Sequence, residues 1–315
     1  MSLHSLYQRV RDEVGKVIFG QEEAIDFSLA ALLSSGHVLL EGPPGVAKTL
    51  LVRSIASTLA MEFRRVQMTP DLLPGDITGT AIYREDRHEF EFRRGPIFAN
   101  FLLADEVNRA SARTQSAMLE AMQELSVTYD GVSHALPEPF IVFATQNPIE
   151  QEGTYPLPLA QLDRFMFKVL VGYPEPTWEE RVLREHHATG GRSNPSAMGV
   201  QAVVTPQDVL AARETIRETY VREEVIGYVR RLLTATRDDD SLSVGASPRA
   251  GLMLLVGAKS LARFADRDFV TPDDVKSAFL PAMRHRVVLS PSAELEGTSV
   301  DAVLGQVLES VEVPR

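Results

Sequence analysis

Cysteine is absent from the 315 residues, so disulfides and thiolate metal centres are excluded. The absence also fits a reducing compartment. Long apolar runs are missing too. The longest, such as Phe140 to Ala144, have the length of a strand, far short of the roughly 20 residues that a membrane helix needs. The opening Met1-Ser2-Leu3-His4-Ser5 lacks the basic-then-apolar order of a signal peptide. A soluble cytoplasmic protein is therefore expected, with no stable membrane insertion. Net positive charge is the third absence, since the formal charge is −11. A non-specific nucleic-acid footprint needs clustered Lys and Arg, so nucleic acid is disfavoured as a partner. No internal repeat is found. The composition is that of an ordinary globular chain, 44% hydrophobic and 24% charged. The length suggests two domains and can bury a core without staples.

From about residue 30 to 171, apolar strand-like runs alternate with helical stretches. Strands are expected at 37–40, 63–67, 99–105, 140–146 and 166–171. Most are short and nearly all apolar, the pattern of strands buried on both faces of a parallel sheet. Helices are expected at 48–60 and 114–125, the second with Met118, Leu119, Met122 and Leu125 along one stripe. The fold class is α/β: a five-stranded parallel sheet with helices on both faces. Two hairpins interrupt it. In the first, 80–83 and 88–93 flank Glu85-Asp86-Arg87, with Phe90 and Phe92 on one side. In the second, 126–129 and 132–135 flank Asp130-Gly131, a strong two-residue turn signal. A loop rich in Gly and Ser follows at 190–196. Beyond it the chain reads as all helix. Thr205-Pro206, Ser247-Pro248 and Thr271-Pro272 each join a hydroxyl N-cap to Pro at the first helical position. Asp208 and Asp274 add a capping-box acid. The domains drawn are 1–189, α/β, and 190–315, a small all-helical lid.

The chemistry starts at Gly42-Pro43-Pro44-Gly45-Val46-Ala47-Lys48-Thr49, between an apolar strand and a helix. That is the setting of the phosphate-binding loop G-x-x-x-x-G-K-[ST]. Its backbone N–H groups curl around phosphate, and the helix N-terminus adds a positive dipole end. Lys48 is placed to reach the β and γ phosphates, and Thr49 to offer its hydroxyl to Mg²⁺. Leu50 completes the stretch assigned to ATP or ADP. Ala47 departs from the motif by standing where a second Gly belongs.

The run Phe101-Leu102-Leu103-Ala104-Asp105-Glu106 ends an apolar strand in adjacent acids. Asp105 is expected to hold Mg²⁺ through water, and Glu106 to polarise the attacking water as general base. Asn147-Pro148 closes another strand, where open α/β sheets bind ligands. Asn147 either orients that water or simply forms a turn. Arg164, in Leu162-Asp163-Arg164-Phe165, is a candidate arginine finger or a surface cation paired with Asp163. Arg249 sits in the first turn of a helix, where the dipole disfavours cations, so an external anion is suspected.

These residues resemble the MoxR family of AAA+ ATPases over nearly the whole chain. Gly42 to Thr49 carries the resemblance, together with Asp105 to Ala110, Ala144 to Pro148, Glu152 to Pro158, Leu162 to Phe165 and Gly245 to Arg249. Val107 stands where Ile is usual, and Ala47 is itself usual in the family. The resemblance implies an AAA+ core followed by the lid. It implies that Asn147 is sensor 1, Arg164 a finger acting on a neighbouring subunit and Arg249 sensor 2. It places Val17, Ile18, Gly20 and Gln21 at the adenine pocket. It matches the first hairpin to the insert within the second helix that marks this branch, and the second to the hairpin before sensor 1. It further implies rings, usually hexamers, a von Willebrand factor A-domain partner, and chaperone work in protein maturation or metal-cofactor insertion. A DNA-dependent motor and the ATPase subunit of a metal-chelatase-like complex are the alternatives. A non-hydrolysing nucleotide switch is disfavoured, because every catalytic position is filled.

Other features are assigned no chemistry. His186-His187 lacks neighbours at metal spacing, and Asp238-Asp239-Asp240 reads as a solvated loop. Trp178, Phe90 and Phe92 read as core or insert packing, with a place facing the central pore of a ring as the alternative for Phe90 and Phe92. Arg109 is either structural or in reach of a neighbouring subunit.

Overall fold

A computed structural model describes residues 2–148, 154–187 and 194–314. In chain order the strands are β1 (Val38–Glu41), β2 (Phe63–Gln67), β3 (Gly79–Arg84), β4 (Glu89–Arg94), β5 (Phe101–Asp105), β6 (Ser126–Tyr129), β7 (Val132–Ala135), β8 (Ile141–Gln146), β9 (Phe167–Leu170), β10 (Leu242–Val244) and β11 (Val288–Leu289). The helices of the sheet region are α1 (Leu3–Val14), α2 (Glu22–Leu33), α3 (Lys48–Thr58), α4 (Pro74–Thr78), α5 (Ala112–Glu124), α6 (Leu159–Leu162) and α7 (Pro176–His186). Then come α8 (Pro206–Arg217), α9 (Glu223–Asp238), α10 (Pro248–Phe264), α11 (Pro272–Met283), α12 (Pro291–Leu295) and α13 (Val300–Ser310). Among the described residues no helix is long and apolar enough to cross a membrane.

The five-stranded sheet runs in the order β2-β5-β8-β1-β9 with every pairing parallel. Its strands are apolar at successive positions because both faces are covered. On β1, Val38 and Leu40 enter one core while Leu39 enters the other. Phe101 and Leu103 alternate in the same way with Leu102 and Ala104. Period-two alternation thus feeds two separate cores. Burying each large side chain contributes roughly 1.5–3 kcal/mol.

Two expectations need correction here. The 63–67 run is not buried on both faces. It is the edge strand β2, and of its residues only Val66 is buried. Its two arginines are what an edge tolerates and a centre would not. On α5, Met118, Leu119 and Met122 are buried as the stripe requires, but Leu125 is 43% exposed. Leu125 caps the helix in a left-handed conformation (φ 51°), which turns it off the stripe.

Both hairpins form. β3 pairs antiparallel with β4, placing Tyr83 opposite Phe90 and Ala81 opposite Phe92. β6 pairs with β7 across Asp130 and Gly131, both at positive φ. Phe92 stacks on Tyr129 and His134 at 4.9 and 4.6 Å, so the two hairpins touch. Phe90 stays 74% exposed.

The proline-marked helix starts are found as expected. The Ser247 hydroxyl accepts from Ala250 N, and Asp208 and Asp274 each accept from their N-cap N–H at 2.9 and 2.8 Å. Ser290-Pro291 opens α12 in the same way. The helical segment also holds the short antiparallel pair β10–β11. The boundary drawn between 189 and 190 lies outside the described residues, as do Glu152 and Gly153 of the family motif. Residues after 194 first return to the sheet region. Val203 and Val204 donate to Thr58 O at 2.8 and 3.1 Å, and Val204 bridges Leu59.

Candidate functional site

The C-terminal ends of β1, β5 and β8 open onto a 590 Å³ cavity, at the place where open parallel sheets bind ligands. Its floor is the loop between β1 and α3. Pro44, Gly45, Val46, Ala47, Lys48, Thr49 and Leu50 line it. Gly45 has φ +84°, and a Cβ there would meet nothing within 4 Å. The glycine is needed for its backbone, not for space. Gly42 is the opposite case. A Cβ on it would lie 2.0 Å from Val171 O, so only glycine lets β1 leave the sheet against β9. Gly42 and Pro43 stand behind the cavity wall, and their carbonyls accept Lys48 Nζ at 2.5 and 2.8 Å.

Ala47 adopts φ 64°, ψ 21° as the N-cap of α3, without a side-chain cap. The left-handed conformation costs an L-residue about 1–2 kcal/mol. That is small enough for a methyl side chain, so the missing Gly does not prevent the loop from closing. Lys48 and Thr49 then occupy the first turn of α3, where the helix leaves its first N–H groups unpaired.

The acids are held from three strands. Asp105 is buried, and its Oδ1 accepts from Thr145 Oγ1 at 2.6 Å. Its Oδ2 accepts from Thr49 Oγ1 at 3.2 Å, and from Arg65 Nε and Nη2 at 3.0 and 2.6 Å. Glu106 turns off the strand at φ 58°, ψ 52°, and its N–H donates to Thr145 Oγ1 at 2.8 Å. One buried hydroxyl therefore fixes both neighbours. The Glu106 carboxylate accepts from Gln67 Nε2 at 2.8 Å and pairs with Arg109 Nε at 3.2 Å. Arg109 is thus tied to Glu106 in its own chain. Asn147 is buried and lines the same cavity beyond β8.

The remaining wall is apolar. Val17, Ile18, Phe19 and Gln21 line it, with Pro174 and Val182 opposite. Gln21 Nε2 donates to Gly172 O at 3.0 Å, closing the two segments together. Gly20 does not line the cavity. It packs against the Trp178 ring, which runs nearly parallel to Phe19 at 6.4 Å. Arg181 covers Phe19 at 4.1 Å. Trp178 is therefore packing behind the wall rather than core.

Two expected site residues lie elsewhere. Arg164 does not line the cavity of its own chain, and its Nη1 donates to Leu119 O. Nor is Asp163 its partner. Asp163 accepts from Arg286 Nε at 2.7 Å and faces Arg249 Nε at 3.6 Å. Arg249 is therefore parked on a carboxylate, outside the cavity wall. Arg65, Gln67 and Thr145 were not expected at the site. Their signal is the pairing of β2 with β5 and of β5 with β8, which aligns Gln67 with Asp105 and Ala104 with Ala144. Among the described residues no cluster of three His, Cys, Asp or Glu is placed to hold a metal ion.

A strand, a glycine loop and a helix opening in Lys-Thr, facing adjacent acids on a neighbouring parallel strand, define a P-loop ATPase of the AAA+ class. A model of the ATPase family associated with various cellular activities matches residues 37–167, and an AAA lid domain model matches residues 234–307. Chaperone MoxR1 of Mycobacterium tuberculosis is 44% identical over 99% of this chain and 83% of its own length. The uncharacterized protein YeaC of Bacillus subtilis is 42% identical over 99% of this chain and 96% of its own. A crystal structure of a provisionally assigned ATPase from Cytophaga hutchinsonii superposes with a TM-score of 0.89 at 42% identity, covering 99% of this chain and 96% of that one. The chain belongs to the MoxR family of AAA+ ATPases.

Proposed function

We propose that the chain hydrolyses ATP with Mg²⁺ at the interface of a ring, of six subunits by family resemblance, and uses the energy to remodel a protein client in the cytoplasm. The observation that carries the reading is the convergence of Lys48, Thr49, Asp105, Glu106 and Asn147 on one cavity, which Arg164 does not line. Arg164 is tied to Leu119 O rather than to this cavity, which supports assigning it to a neighbour's site.

The donor set suits magnesium. Thr49 Oγ1 and Asp105 Oδ2 are two hard oxygens 3.2 Å apart at the cavity. Thr49 Oγ1 suits direct coordination and Asp105 Oδ2 the anchoring of a metal-bound water, for a cation whose other ligands are phosphate and water. When bound, magnesium neutralises charge on the phosphates during transfer. Lys48 leaves the carbonyls of Gly42 and Pro43 for phosphate oxygens. Glu106 and Asn147 hold the attacking water, with Glu106 accepting its proton. Val17, Ile18 and Gln21 clasp the base with Phe19. Arg249 exchanges Asp163 for phosphate and carries the helical segment with it.

The chaperone reading is supported by the kinship with Chaperone MoxR1. The von Willebrand factor A-domain partner rests on family resemblance alone. The test is Glu106→Gln. It is expected to keep ATP binding, abolish turnover and trap client and partner proteins in an ATP-dependent pull-down. Undiminished hydrolysis would remove Glu106 from the proposed role.

A further inference from the structure

Arg65 grips the carboxylate assigned to the metal, and no motif singles it out. We propose that Arg65 is a tethered counter-cation for Asp105, competing with the divalent ion for that carboxylate and setting how much metal the nucleotide site needs. The inference rests on the reading that Asp105 holds magnesium. Both guanidinium contacts fall on Oδ2, at 2.6 and 3.0 Å. Oδ1 is taken by the buried Thr145 hydroxyl. Oδ2 is therefore the oxygen available to a metal, and it is also the one Thr49 reaches.

The Asp105 side chain is 10% exposed and that of Arg65 is 48% exposed. A carboxylate so far out of water needs a compensating charge. The guanidinium supplies it when no metal is bound. A hydrated divalent cation whose water docks on Oδ2 needs the lone pairs the guanidinium occupies and meets its charge a few ångströms away, so one of the two has to move. Arg65 can: its Nη2 also donates to Gln67 Oε1 at 2.8 Å, and the residue lines the cavity rim. Asp105 cannot, because it is buried and held on its other oxygen. Metal entry then displaces a cation, and part of the binding energy is spent on that exchange.

The experiment titrates Mg²⁺ into the full-length protein with ADP, followed calorimetrically, and Mn²⁺ followed by its EPR signal. Neither readout needs turnover. Arg65→Met is expected to lower the half-saturating metal concentration about two- to fivefold, the scale of a half-exposed ion pair. Arg65→Lys keeps the charge on a single head group and is expected to fall between the two. A purely structural Arg65 would do the reverse: without its grip Asp105 would wander and metal binding would weaken. Unchanged or weaker metal binding in Arg65→Met overturns the proposal. Asp105→Asn separates the two levels. It should weaken metal binding, and if it does not, the metal reading of Asp105 falls and this inference with it.

Discussion

Asp163 accepts a hydrogen bond from Arg286 Nε at 2.7 Å across 123 positions of sequence. The Arg286 side chain is 2% exposed, and its other nitrogens donate to the carbonyls of Met166 and Phe165 at 3.0 and 2.6 Å. Burial pushes the Arg286 pKa down, and the Asp163 carboxylate opposes that push. The guanidinium thus joins the end of α11 to the start of β9. Arg286→Met would strand those carbonyls and one charge. It is expected to lower the unfolding free energy by about 3–5 kcal/mol. Urea denaturation measures this, and a loss below about 1 kcal/mol would contradict it.

Arg164 makes a prediction about mixtures. Arg164→Ala is expected to lower turnover by about 10³-fold or more. Mixed with Glu106→Gln subunits, which keep Arg164 but lack the proposed base, it should regain part of the lost rate. ATPase assays across mixing ratios measure this. No recovery at any ratio would mean that Arg164 does not act across an interface.

The pH dependence of stability should carry the mark of His37. Burial lowers its pKa from 6.5 to about 4. Its Nδ1 accepts from Val142 N at 3.0 Å, leaving Nε2–H to face Met122 O at 3.3 Å. The folded chain therefore holds His37 neutral while the unfolded chain protonates it below 6.5. Between pH 6.5 and 4 the unfolded state binds more protons, so stability falls as pH falls. His285, also buried and also lowered by burial, adds in the same direction. The His37 share is about 3 kcal/mol by pH 4. Denaturation midpoints of wild type and His37→Gln across this window give the slope. A slope that the substitution does not flatten would exclude His37 as a source.

Ala47 tests the loop. A β-branched side chain is a true outlier at φ 64°. Ala47→Val should cost about 1–3 kcal/mol of local strain and reduce nucleotide affinity about tenfold or more. Ala47→Gly, which suits the same backbone, should retain binding. Equilibrium titration with a fluorescent nucleotide distinguishes the pair, and equal affinities would refute the strain account.

Much of this was legible in the sequence because its signals are local. The loop from Gly42 to Thr49, the acids after an apolar strand, and the Asp130-Gly131 turn each announce themselves within a few residues. The hydroxyl-proline helix starts do so as well. What was hidden depends on which strands become neighbours. Arg65 and Gln67 look like mere polar interruptions of a strand until β2 is laid beside β5. Thr145 looks like core until its hydroxyl is seen between Asp105 and Glu106. The partner of Arg249 was invisible for the same reason, since Asp163 reaches it only through the packed tertiary structure. Leu125 misled because a helix stripe continues in sequence one step past the turn that ends it.

The edge position of β2 divides the centre into a fixed part and an adjustable one. Asp105 and Thr145 lie on inner strands, where almost any replacement would damage the sheet. Arg65 and Gln67 grip the same acids from a strand with one open side, and both are solvent-accessible. Replacements at these two rim positions therefore change how Asp105 and Glu106 are held while leaving the buried sheet beneath them in place.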